Sequence, residues 1–274
     1  AEAAYFSPFH FHRIFKNLMG ETVNEFVRRT RLERAVVMQS YQPNRSLTEI
    51  ALACGFSSSS DFSRTFKKRF GVPPSVFDVE SFRKQRRAEF EALEAHQDKP
   101  KLLERLPTGV NPDGFEVKLC EIPARKVAYI RVLDPYRPEV AERAAERLLS
   151  WAEAHSLDHG QWLGYMWDDP GIVDLAACRY DVAVEVSKVE ADGEVGCYEF
   201  PAMQVAQVEV RGPIDLEMRA INWLFNTWLP HSRYVPDNQP CFEAWIGKPF
   251  AHGNEHFELQ VQLPVVPNRR SSSS

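Results

Sequence analysis

Apolar residues at Phe11, Ile14, Phe15 and Leu18 recur at i, i+3, i+4 and i+7, the stripe of a single helix face. Ser7-Pro8 supplies an N-cap followed by proline at the first helical position, and Gly20 supplies a C-cap. The opposite face carries Phe9, His12, Arg13 and Lys16. Thr22 and Glu25 form a capping box that opens a long helix running to about Tyr41. The pattern then returns. Ser46 and Glu49 cap a short helix that ends at Gly55. A further helix starts among Ser57 to Ser60, buries Phe62, Phe66 and Phe70, and stops at Gly71. Its other face shows Ser59, Ser60, Ser63, Arg64 and Lys67. Pro73-Pro74 begins a short closing turn.

Each unit is thus a helix, a tight turn containing glycine, and a helix with donors on its outer face, the shape that places side chains in a major groove. The connecting helix, about 20 residues at 1.5 Å each, spans about 30 Å. That is close to one turn of DNA, so one chain can present two reading helices to successive grooves.

From residue 113 onward the pattern changes to alternation and repeats itself. Glu121-Ile122-Pro123-Ala124 returns as Glu199-Phe200-Pro201-Ala202, 78 residues on. Arg179-Tyr180-Asp181-Val182 corresponds to His256-Phe257-Glu258-Leu259, 77 residues on. Trp151, on a helix-like run, answers to Trp228. Each half reads strand, helix, strand, strand. The expected fold class is therefore multidomain: an all-α tandem helix-turn-helix domain, then an α+β domain of two pseudo-symmetric repeats. The expected boundaries are 1–81 for the helical domain, 82–112 for a helical linker, 113–266 for the repeat and 267–274 for a disordered tail. The sequence opens at Ala1 without Met, in a helix-like run, so residues are expected to precede it.

Charge sharpens this division. Residues 1–88 carry 15 Lys and Arg against 8 Asp and Glu, and the remaining 186 carry 18 against 30, so the overall −5 divides into +7 and −12. The basic part suits a polyanion and the acidic part does not. With 44% hydrophobic and 26% charged residues the 274-residue chain has the composition of a core-forming protein. It offers no run of about 18–20 apolar residues for a membrane span. Five scattered cysteines read as reduced, consistent with a cytoplasmic protein.

At these residues the first region resembles the DNA-binding domain of the AraC/XylS family of bacterial regulators. Ser7-Pro8-Phe9-His10-Phe11-His12-Arg13-Ile14-Phe15-Lys16 is similar to its first reading helix. Arg29 and Arg31-Leu32-Glu33-Arg34-Ala35 resemble its linker helix. Ile50-Ala51, Cys54-Gly55-Phe56, Phe62-Ser63-Arg64, Phe66-Lys67-Lys68 and Phe70-Gly71 resemble its signature. The departures are an absent first helix and Phe77-Asp78 where the family more often has Tyr-Arg. The resemblance implies double-stranded promoter DNA as partner, with base reading by Phe9, His12, Arg13, Ser59, Ser60 and Arg64. Lys16 and Lys67 suit phosphates. Phe9 also fits a surface aromatic that packs locally.

The duplicated region resembles the GyrI-like effector-binding domain, on the two Glu-x-Pro-Ala strings, Gly164-Tyr165 with Trp167-Asp168-Asp169-Pro170, Cys178-Arg179-Tyr180-Asp181, and Pro240-Cys241-Phe242-Glu243-Ala244-Trp245. The resemblance implies a small-molecule effector, hydrophobic and cationic, held by Glu243. Tyr165, Trp167, Trp223 and Trp245 are candidate ring contacts, although aromatics at strand and helix spacing serve equally as core. Arg179 and Asp181 read as a structural ion pair. Such a regulator admits RNA polymerase as a further partner. No cofactor, catalytic residue or membrane partner is expected; His252 and His256 lack a third metal ligand nearby. Hydrolysis of the small molecule, or its sequestration, are the alternative functions.

Overall fold

The computed structural model describes residues 7–94, 107–137, 139–188, 191–251 and 256–268. The chain divides into two compact units, Ala1–Arg83 and Lys84–Ser274. His252, the expected tail beyond 268 and the connector residues 95–106 lie outside the described residues.

The first unit is helical: α1 (Pro8–Met19), α2 (Val23–Tyr41), α3 (Leu47–Ala53), α4 (Ser59–Phe70) and the start of α5 (Val79–Glu94). Local chemistry sets the boundaries. Ser7 caps α1, Thr22 and Glu25 cap each other's end of α2, Ser46 and Glu49 do so for α3, and Ser58 caps α4. Gly20 and Gly71 close α1 and α4 in the left-handed conformation. The core is an aromatic ladder, Phe56, Phe62, Phe66, Phe70, Phe77 and Phe82, with neighbouring ring centroids 4.5 to 5.6 Å apart. Phe82 therefore belongs to this core rather than to a connector. Asp78 explains why: its carboxylate accepts from the Ser81 N–H and hydroxyl, starting α5 three residues before the expected linker.

α2 contributes Leu32, Ala35, Val36 and Met38 to the same interior. It also buries charge. Arg29 bridges Glu21 at 2.6 Å and Glu33 at 3.1 Å. Two turns of helix away from the caps, Arg31 lies against Gly55, which has φ +80; a side chain there meets the guanidinium.

The second unit is a nine-stranded antiparallel sheet with two helices. Its first half holds β1 (Lys118–Ile122), β2 (Arg125–Leu133), α6 (Val140–Ala154), β3 (Trp162–Met166) and β4 (Arg179–Glu185). Its second half holds β5 (Gly196–Phe200), β6 (Met203–Gly212), α7 (Ile214–Trp223), β7 (Tyr234–Pro236), β8 (Cys241–Trp245) and β9 (Phe257–Pro267). A π-helical turn, Leu224–Trp228, follows α7. Each half thus opens with one strand more than the strand-helix-strand-strand pattern. The Pro-Ala dipeptide joins that strand to the next.

The strand order is β1-β6-β9-β8-β3-β4-β2-β5, with β7 beside β9. Exchanging each strand for its counterpart reverses this order, so a pseudo-two-fold axis passes between β3 and β8. Pro123-Ala124 and Pro201-Ala202 each carry the chain in two residues from one end of the order to the other. The sheet must curl for such short links to reach. Accordingly Phe242 on β8 and Phe200 on β5 meet at 4.9 Å, although four strand spacings in a flat sheet span about 19 Å.

The concave face collects Val127, Leu163, Tyr165, Phe200, Met203, Val205 and Phe242. On the other face α6 packs across β2 and β4, and α7 across β6 and β9. The central pair β3–β8 lies between the two helices.

Candidate functional site

In the helical unit the outer faces of α1 and α4 are free of the core. Phe9 is 79% exposed, and His12, Arg13 and Lys16 are exposed beside it, spaced along one side of α1. Ser60, Arg64 and Lys67 are exposed on α4, with Ser59 half-buried next to its N-cap. Arg64 leans on Asp61 at 2.9 Å in a solvent-facing pair. Such a pair is weak and holds the guanidinium without confining it. The apolar stripe on the inner side of each helix is what turns these residues outward.

In the second unit the sequence-derived ligand residues divide between two faces. Glu243 on β8 lies opposite Gly164 on β3 and projects to the helix-bearing side. It is buried, and its carboxylate accepts a 2.5 Å hydrogen bond from the Tyr180 hydroxyl of β4. Glu217, on α7, meets it carboxyl to carboxyl and is equally buried. The Trp245 indole faces the Tyr180 hydroxyl, and Tyr136, after β2, feels the Glu243 charge.

Gly164 makes this arrangement possible. A Cβ there would overlap both the Tyr180 hydroxyl and the Glu243 carboxylate. Burial pushes the carboxyls of Glu217 and Glu243 up, Glu217 the more strongly because Glu243 adds like charge. Two buried carboxyls in contact resist ionising together, so the pair holds a proton above the ordinary carboxylate range and titrates as a unit. Burial and the neighbouring acids likewise raise Tyr180 and Cys241.

Tyr165 and Trp167 lie on the concave face, away from Glu243. Tyr165 touches Phe200 and Phe242 edge-on, and Trp167 donates its indole N–H to Asp181 at 2.7 Å. Trp223 packs on Phe115 at the end of α7. Arg179 and Asp181 do not pair with each other. Asp181 faces Arg131 directly across the β2–β4 register and binds it through two hydrogen bonds of 2.8 and 2.7 Å. Arg179 instead clasps Asp168, in the loop after β3, with its guanidinium and backbone N–H.

Sequence reading missed Glu217, Tyr180 and Tyr136. An acid on the inward stripe of α7 was the available signal for Glu217; Tyr180 stands in the repeated string Arg179-Tyr180-Asp181, and nothing local marked Tyr136. Among the described residues no group of three or more His, Cys, Asp or Glu is placed to hold a metal ion, and no helix is long and apolar enough to cross a membrane.

A tandem helix-turn-helix unit joined to a curled, pseudo-symmetric sheet that buries a pair of acids fits a class: transcription regulators with an attached effector-binding domain. The chain belongs to the GyrI-like family. Residues 115–266 match its model, a GyrI-like small molecule binding domain, and residues 1–79 match a helix-turn-helix domain of the AraC type. A DNA gyrase inhibitor of Edwardsiella piscicida is 33% identical over 158 residues, 54% of this chain and 98% of the relative. The probable transcription factor PqrA of Proteus vulgaris is 42% identical over 78 residues, 28% of this chain and 62% of the relative. The solved structure of SAV2435 bound to tetraphenylphosphonium is 13% identical, with a TM-score of 0.40, covering 55% of this chain and 94% of that one.

Proposed function

We propose that the effector of this regulator is a lipophilic cation, bound between α6 and α7 against Glu243 and Glu217. The observation that carries the reading is the buried carboxyl pair, placed by β8 and α7 where the halves meet. A cation entering there exchanges for the shared proton and gains a full carboxylate in a site of low dielectric. Trp245, Tyr180 and Tyr136 add apolar area and cation–π attraction of about 0.5–2 kcal/mol each.

On this reading Phe9, His12 and Arg13 of α1 and Ser59, Ser60 and Arg64 of α4 contact promoter bases. Lys16 and Lys67 engage phosphates. The protein acts in the cytoplasm, with RNA polymerase as the machinery it influences, and turns over no substrate. The exposed donor faces of α1 and α4 and the excess of basic residues in the first 88 support the DNA part.

Regulation requires that the effector favour one of two states that hold DNA differently. The test is a tetraphenylphosphonium titration of the full chain, with and without a promoter fragment that it binds. A several-fold difference in the cation's Kd is expected; equal values would overturn regulation by this ligand. Incubation of the cation with the protein should return it unchanged, whereas turnover would favour a hydrolase.

A further inference from the structure

The concave face holds a charge that the cation site leaves unused. Arg125 opens β2 directly after Pro123-Ala124, and Met203 opens β6 directly after Pro201-Ala202. The registers repeat the equivalence, with Ile122 opposite Met203 and Phe200 opposite Arg125. Where one half buries a thioether, the other buries a guanidinium that is 5% exposed. The repeat shows that an apolar side chain satisfies this position, so packing alone gives no reason for a charge.

The guanidinium lies 4.2 Å above the Phe242 ring. Its Nε and one Nη have no hydrogen-bond partner among the described residues, and neither has the buried Tyr165 hydroxyl. Glu185 attracts Arg125 electrostatically, and burial pushes its pKa down to about 10, which leaves it cationic at neutral pH. Arg131, farther along β2, is satisfied by Asp181. An unpaired buried cation is costly, and the least expensive remedy is an anion with two acceptor oxygens in one plane. The surroundings are aromatic: Tyr165, Phe200 and Phe242 around the charge, then Trp167 and Tyr198, the last 40% exposed.

We propose that Arg125 and Tyr165 form a second ligand site, on the sheet face opposite Glu243, for a small aromatic carboxylate. The carboxylate accepts from Nε and Nη of Arg125 and from the Tyr165 hydroxyl, and its ring enters the aromatic layer. The effector domain then answers to acids on one face of its sheet and to cations on the other.

The test is calorimetry on the full chain with 2-naphthoate and its neutral analogue 2-naphthalenemethanol. Naphthoate should bind at least about tenfold more tightly than the alcohol, the discrimination expected of a site built to pair a charge. Arg125→Met installs the residue that the other half uses, and should abolish that preference while leaving tetraphenylphosphonium binding as it was. Glu243→Gln should leave naphthoate binding unchanged. Should Arg125→Met fail to fold, Tyr165→Phe, which keeps the ring, decides the matter by a several-fold loss of naphthoate affinity alone. Equal binding of acid and alcohol, no naphthoate binding at millimolar concentration, or a preference that survives these substitutions would overturn the proposal.

Discussion

Gly164→Ala is the smallest change that tests the site as built. The added methyl lands where the Tyr180 hydroxyl and the Glu243 carboxylate already meet. Both partners sit in packed strands, so neither retreats freely. Forcing one methyl into a filled core costs about 1–3 kcal/mol. Separating the hydroxyl from the carboxyl pair removes a bond worth about 1.5–3 kcal/mol. Alanine's better strand behaviour returns about 0.5–1 kcal/mol. The net expectation is a loss of about 1.5–5.5 kcal/mol, confined to the sheet unit. Tryptophan fluorescence isolates it, because all six tryptophans fall between Trp151 and Trp245. In urea, the fluorescence transition of the variant should move to lower concentration, while the far-ultraviolet signal of the helical unit keeps its midpoint. A fluorescence midpoint within about 0.5 kcal/mol of the parent, the scatter of neutral substitutions, would refute the seating of Glu243 against Gly164.

Three further outcomes are expected. Arg29→Ala removes the ion pairs to Glu21 and to the buried Glu33 and should destabilise the helical unit by about 3–5 kcal/mol, read from helix content in urea. Glu217→Gln should change how stability depends on pH. Above its ordinary value of 4.5 the unfolded carboxyl ionises while the buried one keeps its proton, so native stability falls as pH rises toward neutral. The variant should show a smaller decline, the part left being that of Glu243, and identical pH profiles would place no raised carboxyl on α7. Arg64→Ala should weaken binding to the target promoter by about 1–3 kcal/mol and relax choice at one base. An equal loss on random DNA would assign Arg64 to phosphate contact instead.

The helical unit was legible because its signals are local. Ser7, the Thr22–Glu25 pair and the Ser46–Glu49 pair act within three residues of the boundaries they set, and Gly20 and Gly71 mark their own turns. Phe82 was misplaced because its packing partners, Phe70 and Phe77, belong to a ladder that only the folded chain assembles. In the sheet the repeat was visible through its Pro-Ala strings, and with it the pseudo-symmetry. The site was less so. Alternation puts Tyr165 with Trp167 and Glu243 with Trp245, but whether the two pairs share a face depends on the register that sets Gly164 opposite Glu243. That register is a long-range fact. The same holds for the Tyr180 bond, which spans 63 residues, and for the Asp181 partner, which lies 50 residues back on β2. A guess from nearest neighbours paired Asp181 with Arg179; strand pairing chose Arg131.

Calorimetric titration of tetraphenylphosphonium into the full chain and into Glu243→Gln bears most directly on the cation site. The parent should bind, and neutralising one acid should weaken binding by about 10- to 100-fold, or 1.4–2.7 kcal/mol. Undiminished affinity in the variant would contradict the account.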